Sequence, residues 1–167
     1  MKYIITLSLS AAALVAAFNV SAVQQDITIT AAIDPTVAIT QSDNTPLPDS
    51  IAMQYLPGQG LQAHRSSIKL WSNTAGRNLN VSLATAPSLT DQAGNNAIPL
   101  SVSLNGQALN TTNTVFNYAT TFPTGIANGS VVMPLIISQT TAGVASVAGN
   151  YSGIVSLVVT QATVSGS

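Results

Sequence analysis

The chain contains no cysteine among its 167 residues, and charged residues make up 5% of it. Without cysteine it forms no disulfide, which is the usual stabiliser of a small secreted domain, and it has no thiolate ligands for zinc. A formal net charge of −1 gives it no basic surface for nucleic acid or for anionic membranes. Something other than disulfides or charge pairs must therefore stabilise the fold.

Catalytic patterns are also missing. His64 is the only histidine and has no nucleophile motif beside it, so we interpret it as a surface residue. The five aspartates are scattered, and none belongs to a calcium-loop pattern. No glycine-rich phosphate loop precedes a helical segment. We predict no enzyme activity, no metal and no cofactor.

One long hydrophobic run is present, and it lies at the start of the chain. Met1 and Lys2 supply a positive charge, residues 3–18 are mostly apolar, and the small residues 20–22 follow. This pattern predicts a secretory signal peptide, residues 1–22, that is cleaved between Ala22 and Val23. A membrane anchor is disfavoured because the apolar core is short and no basic stop follows it.

From residue 35 onward the pattern is that of short strands separated by turns. We predict strands over 36–41, 51–56, 61–72, 78–84, 98–104, 107–111, 130–138 and 151–160, and loops over 42–50, 86–97 and 140–149. The segment 113–124 is ambiguous. Asn105-Gly106 predicts a tight hairpin, and Pro134 predicts an edge strand or a bulge. No window predicts a helix. The pattern is typical of one all-β, immunoglobulin-like sandwich over 35–167.

Residues 23–34, directly after the predicted cleavage site, alternate between mostly apolar and mostly polar side chains. Their odd positions form a nearly continuous apolar row: Val23, Gln25, Ile27, Ile29, Ala31 and Ile33. A period of two indicates a β-strand with one buried face. Pro35 ends it, because proline lacks an N–H and disfavours helix at the preceding residue. The strand could be the first strand of the sandwich or could pair with another molecule.

The last predicted strand, 151–160, is the most apolar and is followed only by QATVSGS. No later segment remains to pair with its far side, so its row would border an open groove: Gly153, Val155, Leu157 and Val159. Proteins rarely tolerate such an exposed apolar edge. The sequence therefore permits a head-to-tail arrangement, in which the strand 23–34 of one copy completes the sheet of the next.

Five segments, taken in order, resemble the major pilin subunits of the colonisation-factor family of chaperone–usher fimbriae, also called class 5 or alpha fimbriae. They are AVQQDITITAAIDP, PLPDSIAMQYLPG, NLNVSLATAPSLTD, IPLSVSLNGQAL and AGNYSGIVSLVVT. Together they cover nearly all of the chain after residue 22, and the set is more specific than any one segment. The ending QATVSGS is a few residues longer than is usual in the family.

The resemblance implies an incomplete immunoglobulin-like β-sandwich that lacks its last strand and carries an N-terminal donor strand, 23–34. It implies a structural subunit of a Gram-negative surface fimbria, exported through the periplasm, polymerised by donor-strand exchange and serving cell adhesion. The implied partners are copies of the chain, a periplasmic chaperone, an outer-membrane usher and a minor tip adhesin. By the same resemblance Val23, Ile27, Ile29, Ala31 and Ile33 are the donor row, and Val155, Leu157 and Val159 line the acceptor groove.

A second hypothesis is a secreted carbohydrate-binding β-sandwich or a tip adhesin. It depends on Trp71, which shares the register of Ser67 and Lys69 and lies opposite Ile68 and Leu70. An exposed indole there could contact a sugar or a neighbouring subunit. The alternative is that Trp71 covers an edge of the core.

Overall fold

The computed structural model describes residues 36–165, so the predicted signal peptide and donor strand lie outside the described residues. The described strands are β1 (Val37–Gln41), β2 (Tyr55–Leu56), β3 (Gly60–Leu61), β4 (His64–Ser72), β5 (Arg77–Leu83), β6 (Ser88–Asp91), β7 (Ile98–Leu104), β8 (Gln107–Leu109), β9 (Thr114–Phe116), β10 (Met133–Gln139), β11 (Tyr151–Ser152) and β12 (Leu157–Ser165). One helical turn, α1 (Tyr118–Thr121), and one 3₁₀ turn (Ile126–Asn128) accompany them. No helix within 36–165 is long and apolar enough to cross a membrane.

The strands form two main sheets. The larger sheet has the order β1-β4-β10-β7-β6-β11, with β8 also paired to β7, and the smaller sheet has the order β12-β5-β9. Strands β2 and β3 form a separate two-stranded ribbon. All of the strand pairs are antiparallel. This architecture confirms the predicted all-β, immunoglobulin-like class.

A single hydrophobic core lies between the sheets. Alternate residues of the central strands supply it, as a period of two requires. Its fully buried side chains include Ile68 and Leu70 of β4, Leu79 and Val81 of β5, Val102 and Leu104 of β7, and Met133 of β10. The alternation that predicted these strands thus also predicted which of their faces is buried.

The hairpin prediction at residues 105–106 is confirmed. Asn105 has φ 50° and Gly106 has φ 78°, as a two-residue type I′ turn requires. The flanking residues Leu104 and Gln107 pair directly, which fixes the register of β7 and β8.

Strand β6 lies inside the segment 86–97, which we predicted to be a loop, so that prediction is wrong at β6. The side chain of Asp91 holds the turn that joins β6 to β7. Its Oδ1 accepts hydrogen bonds from the N–H groups of Ala93 (3.0 Å) and Asn95 (2.8 Å), and its Oδ2 accepts one from the amide of Asn96 (2.7 Å). These bonds, above all the one from Asn96, lower the pKa of Asp91. The polar residues that indicated a loop therefore build a hairpin turn.

Pro134 lies in an interior strand, because β10 is placed between β4 and β7. The prediction of an edge is therefore wrong for β10 as a whole, although at Pro134 itself the strand is paired with β4 only. Pro134 pairs with Ser67 of β4, whereas the pairing of β10 with β7 begins one residue later. The N–H of Asn105 donates to the carbonyl of Pro134 at 2.9 Å. The nitrogen and the carbonyl of a strand residue point to the same side, so the nitrogen of Pro134 faces the turn after β7 rather than a residue of β7.

The predicted strand 151–160 is divided in the structure. Strand β11 pairs with β6 in the larger sheet, whereas β12 pairs with β5 in the smaller one, and residues 153–156 cross between the sheets. At the crossing Gly153 approaches the backbone of Ser88 so closely that a Cβ would overlap the Ser88 carbonyl oxygen. Strand β12 also extends to Ser165, so most of the tail that we placed after the strand belongs to it.

Two smaller differences concern short elements. Of the predicted strand 51–56, the last two residues form β2, and the predicted strand 61–72 is divided between β3 and β4. The prediction of no helix is wrong at α1, where the side chain of Asn117 accepts a hydrogen bond from the N–H of Ala119 at 2.9 Å. Elements of two to four residues are too short to show a hydrophobic period.

We expect Gly153→Ala to lower the free energy of unfolding by about 1–3 kcal/mol, because the added methyl group would collide with the backbone of β6 rather than with a flexible side chain. Gly149→Ala is the matched control, since the nearest atom to a Cβ there is 3.9 Å away, on the ring of Tyr151. Urea unfolding of the purified chains measures both changes. Equal midpoints for the two variants would contradict the tight approach at Gly153.

Asp91 should make stability depend on pH. Its folded pKa lies below the unfolded value of about 3.9, so its contribution is fully present above about pH 4 and is lost as the pH falls through the folded pKa. We expect Asp91→Asn to lower the melting temperature at pH 7 and the gap from the parent chain to shrink towards pH 2. Asp49→Asn, in an exposed loop, is the control for loss of a charge. A gap that is constant with pH would show that the turn does not depend on the carboxylate.

Candidate functional site

The outer edge of β12 is the strongest candidate site. β12 pairs with β5 in the register Leu157 to Leu83 through Gln161 to Leu79. Within the described chain, no strand pairs with the other side of β12. The edge strand therefore presents backbone N–H and C=O groups that another strand could bind.

The inward side chains of this strand are covered less completely than those of its neighbour. Leu79, Val81 and Leu83 of β5 are 0–3% exposed, whereas Leu157 and Val159 are half-buried and pack against the edge of the core. Val155, just before the strand, is half-buried in the same way. The structure thus brings together the three residues predicted to line the acceptor groove.

Strand β1 lies close to this edge of β12. It is the end strand of the larger sheet, and its Val37 and Ile39 are half-buried against the same core. We call the region formed by Val37, Ile39, Val155, Leu157 and Val159 the acceptor edge. It combines an unpaired backbone with a partly covered apolar row, which is the combination needed to bind an amphipathic strand.

One end of the acceptor edge is closed by Gln161. Its Nε2 donates to the carbonyl of Thr36 (3.1 Å), to Ser72 Oγ (3.0 Å) and to Asn73 Oδ1 (2.9 Å), so these bonds join the two sheets directly. Beside it, Nη1 of Arg77 donates to the carbonyls of residue 162 (3.2 Å) and residue 163 (2.6 Å). Sequence reasoning missed these polar contacts. The sequence did contain a signal for Gln161. It is the next odd-numbered residue after Val159, so it should lie on the same face of the strand.

Trp71 is half-buried rather than fully exposed. Its indole N–H donates to Thr40 Oγ1 at 2.9 Å, and its ring covers Gly129, where a Cβ would lie 3.1 Å from the ring. These contacts anchor the indole at the margin of the larger sheet. The hypothesis of a surface contact through Trp71 stays a prediction.

Two further clefts lie among the loops. They have volumes of about 280 and 490 Å³ and are lined mostly by small, uncharged residues. Within residues 36–165, no group of three or more histidine, aspartate or glutamate side chains could hold a metal ion. His64, which we predicted to be a surface residue, begins β4 and is half-buried.

The sequence as a whole matches known fimbrial proteins. A family model described as the CS1 type fimbrial major subunit matches residues 23–160. One relative, a CFA/I fimbrial subunit of Escherichia coli O78:H11 (strain H10407 / ETEC), is 38% identical over an alignment of 150 residues, which covers 86% of this chain and 88% of that protein. Another, a CS1 fimbrial subunit of Escherichia coli, is 32% identical over an alignment of 166 residues, which covers 93% of this chain and 95% of that protein.

A solved structure agrees with these matches. The CooA pilin subunit from enterotoxigenic Escherichia coli is similar with a TM-score of 0.68 at 29% identity, over 77% of this chain and 89% of that one. The chain therefore belongs to the family of CS1 type fimbrial major subunits and is a structural subunit of a surface fimbria.

Proposed function

We propose that this subunit polymerises by donor-strand exchange, in which residues 23–34 of one copy bind the acceptor edge of the next. The observation that supports it best is the unpaired outer edge of β12 with its half-buried apolar row. Subunits of a fimbria assemble with copies of themselves, and a heterologous contact of this kind builds an open filament.

The proposed donor suits this edge in length and in pattern. Its alternating row, Val23, Gln25, Ile27, Ile29, Ala31 and Ile33, has the period of two with which a strand presents one face to the core. Each large apolar side chain that becomes fully buried contributes about 1.5–3 kcal/mol, in addition to the new ladder of hydrogen bonds. In a chain without cysteine, this pairing would supply the stability that disulfides give other secreted domains.

The same edge accounts for the proposed partners during export. Before assembly an unpaired apolar edge promotes aggregation, so a periplasmic chaperone would cover it until an outer-membrane usher passes the subunit into the filament. The signal peptide proposed at residues 1–22 directs the chain into this route, and a minor tip adhesin would occupy the end of the filament. The subunit's own chemistry is backbone pairing and burial, with no catalysis, metal or cofactor.

A secreted carbohydrate-binding sandwich is the less favoured alternative. The indole of Trp71 makes a hydrogen bond with Thr40 and packs on Gly129, which is the contact pattern of a structural side chain. Of the residues that line the two loop clefts, Tyr151 alone is aromatic, and its hydroxyl donates to the carbonyl of Val147 at 2.8 Å. One cleft thus has no aromatic residue, and the other has one whose hydroxyl is already hydrogen-bonded within the chain.

Ile29→Asp should abolish filament assembly, reducing the fimbriae recovered from cells at least about tenfold. The substitution would place a carboxylate in the apolar row, where burying an unpaired charge costs several kcal/mol. Thr28→Asp is the matched control, since it adds the same charge to the opposite face of the strand. Electron microscopy and the yield of sheared surface protein measure assembly.

The amount of each variant held by the periplasmic chaperone should be the same, because the substitutions lie outside the sandwich. Normal filaments from the Ile29→Asp chain would overturn the donor assignment. Equal loss in both variants would show that the segment is needed but that its apolar face is not what binds.

A further inference from the structure

Gln161 interrupts an otherwise apolar row. The inward positions of the acceptor edge follow odd numbers through Val155, Leu157 and Val159, and Gln161 is the next position on that face. Its carboxamide reaches across to the larger sheet and lies within 3.1 Å of three acceptors. One of them, Ser72 Oγ, belongs to a residue that is only 9% exposed. We call Gln161 with these acceptors the Gln161 junction.

At Gln161, at one end of the apolar row, hydrogen bonds join the two sheets. An apolar side chain entering at the level of Gln161 would have to displace the hydrogen bonds of its amide, one of which is made to the buried residue Ser72, and exchanging these bonds for an apolar contact is unfavourable. The junction is also fixed along the strand, because Arg77 binds the two carbonyls that follow Gln161. The family model ends at residue 160, so this end of the site lies beyond the part that matches the family.

Resting on donor-strand exchange as the function, we propose that Gln161 is a positioning residue that sets the register of the incoming strand. The donor row contains one polar side chain, Gln25. In an antiparallel pairing with Gln25 at the level of Gln161, Ile27 meets Val159 and Ile29 meets Leu157. The two amides then lie together at the closed end, and the large apolar side chains lie along the open part.

Other registers match less well. A shift of two residues in one direction places Ile27 at the junction, and a shift in the other direction places Gln25 beside Val159. A parallel strand with Gln25 at the junction would leave most of its isoleucines beyond the apolar row. Among the registers that bring Gln25 or a neighbouring odd position to the junction, the match of polarity therefore favours the antiparallel one with Gln25 at Gln161.

The same register excludes a strand that folds back along its whole length on its own domain. Thr36 lies at the junction, because its carbonyl accepts from Gln161. Ile33, eight residues beyond Gln25, would lie about 26 Å from the junction at about 3.3 Å per residue. The three residues from Ile33 to Thr36 span at most about 11 Å. The full donor row can therefore reach this register only in a neighbouring copy.

Introduced cysteines can measure the register, because the chain has none of its own. Each of three full-length variants carries Thr160→Cys on the outward face of β12 and one donor substitution. Asp26→Cys faces residue 160 in the proposed register, whereas Gln24→Cys and Thr28→Cys face it after a shift of two residues in either direction. Fimbriae assembled in cells are oxidised and run on a non-reducing gel, with the single-cysteine chains as controls.

We expect a ladder of linked subunits from the Asp26→Cys pair, at least about tenfold stronger than from the other two pairs. A ladder that is strongest for another pair would overturn the register and leave donor-strand exchange intact. Disulfides within single chains, or filaments in which no pair is linked, would overturn donor-strand exchange at β12 itself.

The role of Gln161 is tested by Gln161→Leu in the same three chains. Because leucine makes the row apolar to its end, we expect the Thr28→Cys pair to gain a ladder comparable with that of the Asp26→Cys pair. Gln107→Leu, an exposed glutamine on β8, is the matched control and should leave the preference unchanged.

Gln25→Leu removes the partner amide without altering the sandwich and should also weaken the preference for the Asp26→Cys pair. It keeps the test decisive if the Gln161→Leu chain does not fold. A preference that is unchanged in Gln25→Leu, and in a folded Gln161→Leu chain, would show that the junction does not set the register.

Discussion

The structure depends on a strand edge that its own described residues leave unpaired, because β12 has β5 on one side and no strand partner on the other. Backbone polar groups and apolar side chains at such an edge must be satisfied by water, by another molecule or by aggregation. With 5% charged residues and no cysteine, the chain has few charge pairs and no covalent links that could compensate. Membership of a fimbrial family makes pairing with another chain the natural solution.

The acceptor edge favours pairing with another strand and also restricts the register in which that strand can pair. Backbone pairing along β12 would favour any extended strand, and apolar burial would favour any amphipathic one. The Gln161 junction adds a polar requirement at one end, where hydrogen bonds already join the sheets. Specificity of this kind arises from the cost of a mismatch as much as from the gain of a match.

Alternation predicted the β class and the buried faces of β4 and β5, and the pair Asn105-Gly106 predicted the hairpin. The first two depend on the period of two, and the hairpin depends on backbone conformations that few residues adopt. The local pattern failed where the structure depends on which strands are adjacent. Pro134 is acceptable in an interior strand because the adjacent strand ends beside it, and β6 forms because Asp91 holds its turn. Neither fact can be recognised without knowing which strands are adjacent.

The acceptor residues show the same division. The odd numbering of Val155, Leu157 and Val159 was enough to assign them to one face, and the resemblance to a fimbrial protein likewise follows from the residues alone. Three further features can be recognised only in the folded chain: this strand changes sheets at Gly153, its outer edge is unpaired within residues 36–165, and Gln161 joins it to Ser72. These features arise between segments far apart in sequence, where long-range packing and hydrogen bonding override the local pattern.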